Sequence, residues 1–145
     1  VWAWSDGVPY LSALLNSAPE QIKCMVTYYG VMDLQLFIPT LPDTLTQAQR
    51  ENIVHTLKAF SLINLLQEKP KAIPPIFIAK AGLDNSFTND SIDNFVSNAD
   101  TQGIAVELLE HHEGHHGFDW IDENEKSREI VKATLDFLKK HLADS

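Results

Sequence analysis

The feature that most constrains this chain is the alternation of short, β-rich apolar runs with longer segments of helical spacing. Residues 23–29 (KCMVTYY), 75–81 (PIFIAKA) and 104–110 (IAVELLE) have the make-up of buried strands. Each is bounded by Gly, Pro or Asn/Asp, and each is too short for a typical helix. Residues 1–4 read as the tail of a further strand. Between these runs, residues 7–16 set Val8, Leu11, Leu14 and Leu15 at helical spacing. Asn89 opens a helix over 90–102, with Ile92, Phe95, Val96 and Ala99 on one face and Gly103 as its stop. Asp122 or Asn124 caps a last helix reaching about residue 141. Its stripe is Ile130, Val131, Leu135, Phe137, Leu138 and Leu142, and Lys139, Lys140 and His141 fall in its last turn, where positive charge suits the helix dipole. This order specifies an α/β fold, a parallel β-sheet with flanking helices.

The stretch 34–73 departs from the alternation. Pro39, Pro42, Pro70 and Pro74 punctuate it, and it holds a helix over 46–58 and a shorter one over 61–67. It reads as a lid or cover inserted between two strands. The rest supports one domain over residues 1–145, a length at which a sizeable core can be buried. Hydrophobic residues at 44% and charged residues at 21% are those of a globular chain.

Charge and hydropathy exclude several partners. Eleven basic against 20 acidic residues leave a net charge of −9, which opposes any nucleic-acid partner. No apolar run approaches the ~18 residues of a membrane span, so no membrane partner is expected. The start carries no basic, then apolar, signal pattern, and the expected localisation is cytoplasmic. Cys24, the single cysteine, lies in an apolar run and reads as a small buried hydrophobe.

In a parallel sheet, ligands bind outside the carboxyl ends of the strands. Three residues of suitable chemistry follow strands: Ser5 after 1–4, Asp84 after 75–81, and His116 after 104–110. A serine hydroxyl becomes nucleophilic when a histidine takes its proton, and a carboxylate can hold that imidazole in the useful tautomer. Ser5 lies in Ala3-Trp4-Ser5-Asp6-Gly7, with small residues two positions either side, as a sharp strand-to-helix turn demands. Ala3 stands where Gly is more usual, and Val8 is bulky for its position and must pack under the helix. A plain helix cap is the competing reading of Ser5. Asp84-Asn85 also suits an ordinary turn, and Asp33, which follows a strand too, is a rival acid. Asp84 is preferred because a histidine follows one strand later.

Four histidines, His111, His112, His115 and His116, crowd into residues 110–117. His112 to His116 spell H-E-x-x-H, a zinc pattern that works only on a helix face. A strand leads in, and Gly114 and Gly117 interrupt the segment, so no metal site is expected beyond incidental coordination.

Serine, acid and histidine in that chain order resemble the α/β-hydrolase superfamily, most closely its dienelactone-hydrolase-like and small carboxylesterase branches. The matching stretches are residues 3–7, 26–33 (VTYYGVMD), 74–84 (PPIFIAKAGLD) and 114–119 (GHHGFD). His-Gly-Phe singles out His116 among its neighbours. The resemblance implies Ser5 as nucleophile, His116 as general base and acid, Asp84 as orienting carboxylate, and the Asp6 backbone N–H as an oxyanion-hole donor. It implies no cofactor, and a small-molecule ester as substrate. Dienelactone hydrolases use cysteine as nucleophile, so serine here points toward ester hydrolysis. Members of the superfamily carry several strands and two helices ahead of the serine. The chain therefore reads as the C-terminal half of such a protein, completed by that missing half or by a homo-oligomeric partner. The competing function is a non-catalytic α/β domain that binds a ligand or partner. A metal-binding protein using histidines 111–116 is a third.

Overall fold

The computed structural model describes residues 1–143. The four apolar runs form a four-stranded sheet in sequence order: β1 (Trp2–Trp4), β2 (Met25–Tyr28), β3 (Ile76–Ala81) and β4 (Val106–His111). All neighbours are parallel, with Trp2 opposite Val26, Val26 opposite Phe77, and Phe77 opposite Glu107. Every residue of β2 and β3 is buried, because helices cover both faces. β4 is a sheet edge, and its Glu107 and Leu108 reach solvent.

The helices in chain order are α1 (Tyr10–Ser17), α2 (Gln47–Ala59), α3 (Leu62–Glu68), α4 (Ser86–Thr101), α5 (Phe118–Ile121) and α6 (Glu125–Leu142). Leu11 and Leu15 of α1, Leu62 and Leu66 of α3, and Ile92 and Phe95 of α4 pack with Met25, Ile76 and Ile78 on one face of the sheet. Ile130 and Phe137 of α6 pack with Val26, Tyr28, Phe77, Ala79 and Phe118 on the other. Successive strand residues thus feed opposite cores, as the strand period requires. Cys24 is buried in the second core, and burial pushes its thiol up from its ordinary value.

Several boundaries differ from those expected. α4 starts at Ser86 rather than Asp90, because Asn85 Oδ1 accepts the Thr88 N–H at 2.9 Å and caps the helix a turn earlier than Asn89 would. A 3₁₀ turn, Ser5–Gly7, precedes α1, so the first helix begins at Tyr10, and Leu14 falls outside the core at 39% exposed. Asn124, not Asp122, caps α6 by accepting the Ser127 N–H, and Leu135 and Leu142 face outward.

The segment 34–73 divides into unlike parts. It opens with a 3₁₀ stretch, Leu34–Thr40, too short and irregular to show a helical apolar period in the sequence. A capping box between Thr46 and Gln49 starts α2, which buries no residue fully. α3 buries Leu62, Ile63, Leu65 and Leu66, and is part of the core.

Candidate active site

β1 delivers Ser5 to the carboxyl end of the sheet, where the backbone reverses sharply. Ser5 has φ 47°, a left-handed conformation that costs a non-glycine residue on the order of 1–3 kcal/mol. The Val8 N–H closes the turn on the Ser5 carbonyl at 3.1 Å. Ser5 does not cap α1, whose N-cap is Pro9 without any side-chain bond. The crowded glycine is also not Gly7, where an added Cβ would rest 3.8 Å from Ala3 Cβ, an ordinary contact. It is Gly30, just past β2. A Cβ there would lie 2.2 Å from Val8 Cγ2 and 2.8 Å from the Ser5 carbonyl. Val8 is wholly buried in the space that the bare Gly30 leaves, which accounts for its bulk beside the serine.

β3 runs into a tight turn in which the Asp84 N–H bonds to the Ala81 carbonyl at 3.1 Å. Gly82 is required there, since a Cβ would strike the His112 carbonyl oxygen at 2.3 Å. Gly82 N–H donates to the His111 carbonyl and Leu83 N–H to the Gly114 carbonyl, both at 2.9 Å, which binds the acid's turn to the histidine's loop. The Asp84 side chain is 4% exposed. Its Oδ1 accepts from the Asn85 N–H at 2.7 Å, and its Oδ2 lies 2.6 Å from His116 Nδ1. His116 Nε2 lies 2.8 Å from Ser5 Oγ. With Asp84 ionised, the network assigns the proton to Nδ1 and leaves Nε2 to accept from the serine.

Asp33 takes no part in this chain. Its Oδ1 accepts the Gln35 N–H at 2.9 Å and caps the 3₁₀ stretch, while Oδ2 faces Asn94 Nδ2 at 3.5 Å. The crowded histidines separate onto different partners. β4 extends one residue further than expected, so His111 belongs to the strand and is buried. Its Nε2 meets Asn124 Oδ1 at 3.0 Å. His112 is exposed beside Glu110. His115 donates its backbone N–H to Asp122 Oδ2 at 2.8 Å, a bond that holds the Asp122 carboxyl below its ordinary value. Residues 112–117 are turns and coil rather than helix. Among the described residues no three His, Cys, Asp or Glu side chains converge as metal ligands.

The sequence reading missed a second polar group beside His116. Tyr29 packs its ring against the imidazole, centroids 4.6 Å apart, and donates its phenol to Asp119 Oδ1 at 2.6 Å. Trp4 Nε1 donates to Asp119 Oδ2 at 3.2 Å. Burial, reinforced by the Asp119 bond and charge, pushes the Tyr29 phenol well above its ordinary value. The apolar run 23–29 places Tyr29 at the end of a buried strand. Its signal lay in its place after β2, the position that also drew attention to Asp33.

Two cavities flank the serine. One of about 490 Å³ is lined by Trp4, Ser5, Tyr29, His116, Asp119 and Trp120. The other, about 360 Å³, is mainly apolar and runs from Asp6 past Val31 and Leu34 to Phe37, Leu57 and Phe60. Within 34–73, Phe37 and Phe60 line it, whereas Leu62 is core and Ile38 is half-buried outside its lining.

A parallel sheet with Ser5, Asp84 and His116 gathered at its carboxyl ends is the arrangement of an α/β-hydrolase. The family model described as the prolyl oligopeptidase family matches residues 1–145, and the chain belongs to that family. The match does not specify the dienelactone-hydrolase-like branch. No curated protein matches the sequence. Among solved structures, the chain is similar to Thermogutta terrifontis esterase 2 phosphonylated by sarin, at 16% identity and TM-score 0.68, covering 96% of this chain and 55% of that one. It is similar to the carboxylesterase Cest-2923 from Lactobacillus plantarum, at 18% identity and TM-score 0.68, with 96% and 57% covered. Carboxyl esterase 2 from the fungus Tuber melanosporum gives 18% identity and TM-score 0.71, with 97% and 53% covered. These likenesses establish the fold. The chain spans little more than half the length of each of these structures. Among the described residues, no helix is long and apolar enough to cross a membrane.

Proposed function

We propose that the chain carries the catalytic residues of a serine hydrolase that cleaves carboxylic esters through an acyl-enzyme. The observation that carries this reading is the unbroken series Ser5 Oγ, His116 Nε2, His116 Nδ1, Asp84 Oδ2, with links of 2.8 and 2.6 Å. In the proposed reaction Ser5 Oγ attacks the ester carbonyl while His116 Nε2 takes its proton, and Asp84 stabilises the imidazolium. In this reading the Asp6 backbone N–H is the donor to the developing oxyanion. His116 returns the proton to the leaving alcohol, which departs as the carbonyl re-forms. Water, deprotonated by His116, then attacks the acyl-enzyme and releases the acid and Ser5. The apolar cavity beside Asp6 suits the acyl chain, since its walls offer area to a hydrocarbon and few polar groups.

A second reading, favoured by the family's description, is that the acyl bond is a peptide. Ester and anilide substrates sharing one acyl group distinguish the two.

Treatment with a fluorophosphonate and peptide mapping test the assignment of the serine and its base. The expected result is one adduct on Ser5, absent in Ser5→Ala and formed at least about 10⁴-fold more slowly in His116→Ala. The exposed His112→Ala serves as the control and labels normally. Equal labelling of wild type and His116→Ala refutes the role given to His116.

A further inference from the structure

We propose that Asp119 is a positioning residue that sets the imidazole plane of His116 through Tyr29. The inference rests on the reading of His116 as the base. Hydrogen bonds to Asp84 at Nδ1 and to Ser5 at Nε2 fix the ring along one line, and the side chain is still 45% exposed. A plane needs a contact off that line, and the Tyr29 ring supplies it, 4.6 Å away with 57° between the planes. Tyr29 is itself in an unfavourable state. With Ser5 it is one of two non-glycine residues of positive φ among the described residues, at 37°. What holds it is its N–H bond to the Ala79 carbonyl at 2.8 Å, the edge of Phe118, and its phenol bond to Asp119 at 2.6 Å. A neutral donor on a carboxylate is the strong kind of hydrogen bond, and this one stops the ring from swinging away.

Asp119 is well placed to act on both partners of the proton transfer. It lies three residues after His116, in α5, where Gly117 at φ 88° lets the chain turn back toward the sheet. Its other oxygen holds the indole of Trp4, the residue before Ser5. One carboxylate therefore ties the histidine's loop to the ends of β1 and β2, and keeps the distance between Ser5 and His116 from drifting.

The test combines ring-nitrogen NMR of the full chain with the rate of fluorophosphonate labelling. Wild type is expected to show a low-field Nδ1 proton on His116. Asp119→Ala and Tyr29→Phe should lose or broaden that signal and label Ser5 about 10–100-fold more slowly. The double variant should be no worse than Asp119→Ala alone, because both act by one route. Asp119→Asn keeps an acceptor for the phenol and should recover part of the signal and rate. Tyr29→Phe removes one oxygen and preserves packing, so it reads the interaction even if Asp119→Ala folds poorly. An unchanged His116 signal in Tyr29→Phe overturns the proposal, whatever happens to thermal stability. If wild type shows the Nδ1 proton but no adduct, and the variants lose that proton, the positioning role stands and the hydrolase reading falls.

Discussion

Gly30→Ala is the smallest change that tests how the serine turn is built. The new methyl carbon would lie 2.2 Å from Val8 Cγ2, 2.5 Å from Val8 Cβ and 2.8 Å from the Ser5 carbonyl oxygen. Two of those atoms cannot move by a rotamer change: Cβ is fixed to the backbone and the carbonyl is backbone. The turn or the end of β2 must shift, at the cost of about 1–3 kcal/mol typical of overpacking. For a chain of this length that corresponds to a fall in Tm of roughly 2–12 °C. Val8→Gly alone removes a wholly buried side chain and should cost about 1.5–3 kcal/mol, with a further ~0.5–1 for backbone freedom. Combining the two removes both Val8 contacts and leaves only the approach to the Ser5 carbonyl. The double variant should therefore be less destabilised than the sum by about 1–2 kcal/mol. Urea unfolding of the four proteins measures this coupling. Additivity within about 0.5 kcal/mol would refute the reasoning. Labelling of Ser5 supplies a second readout. It should stay slow in the double variant, because the methyl group still presses on the serine's own carbonyl.

Two further outcomes concern pH. Burial pushes the Tyr28 phenol up to about 12, so the native state holds this proton more tightly than the unfolded chain does. The associated stability, roughly 2–3 kcal/mol, is complete below pH 10 and is lost as the pH rises through about 12. Tyr28→Phe should flatten urea midpoints between pH 10 and 12, and parallel curves for the two proteins would contradict this. Asp122 moves the opposite way, because its lowered value reflects the bond from the His115 N–H. Its contribution is present above its ordinary value of 3.8 and is lost as the pH falls through the lowered one. Hydrogen exchange at the His115 amide should be faster in Asp122→Asn than in wild type at neutral pH. The two should converge in strong acid, and equal protection at pH 7 would count against the bond.

The strands were legible because burial on both faces leaves unbroken apolar runs, and Ile76–Ala81 is the plainest case. Ser5, Asp84 and His116 were legible by another route. Each follows a strand, and a parallel sheet brings those ends together. What could not be read were features set by contacts distant in sequence. The crowded glycine is Gly30 rather than Gly7, because the neighbour it makes room for is Val8 on another element. Asp119 gave no local signal, since its partners Tyr29 and Trp4 lie 90 and 115 residues away. Local competition caused the remaining errors. Asn85 belonged to a convincing turn motif and is in fact a helix cap. The four-residue α5 is too short to show any periodicity.

The bond between Ser5 and His116 joins positions 111 residues apart, and the one between His116 and Asp84 spans 32. The second needs only the pairing of β3 with β4, whereas the first cannot form until β1 has joined the same sheet, since closing so long a loop brings no return until the intervening strands have paired. The meeting of Ser5, His116 and Asp84 is thus a property of the finished molecule. A partly folded chain exposes the Ser5 hydroxyl with no imidazole beside it, and the two are brought together only when that long-range contact closes.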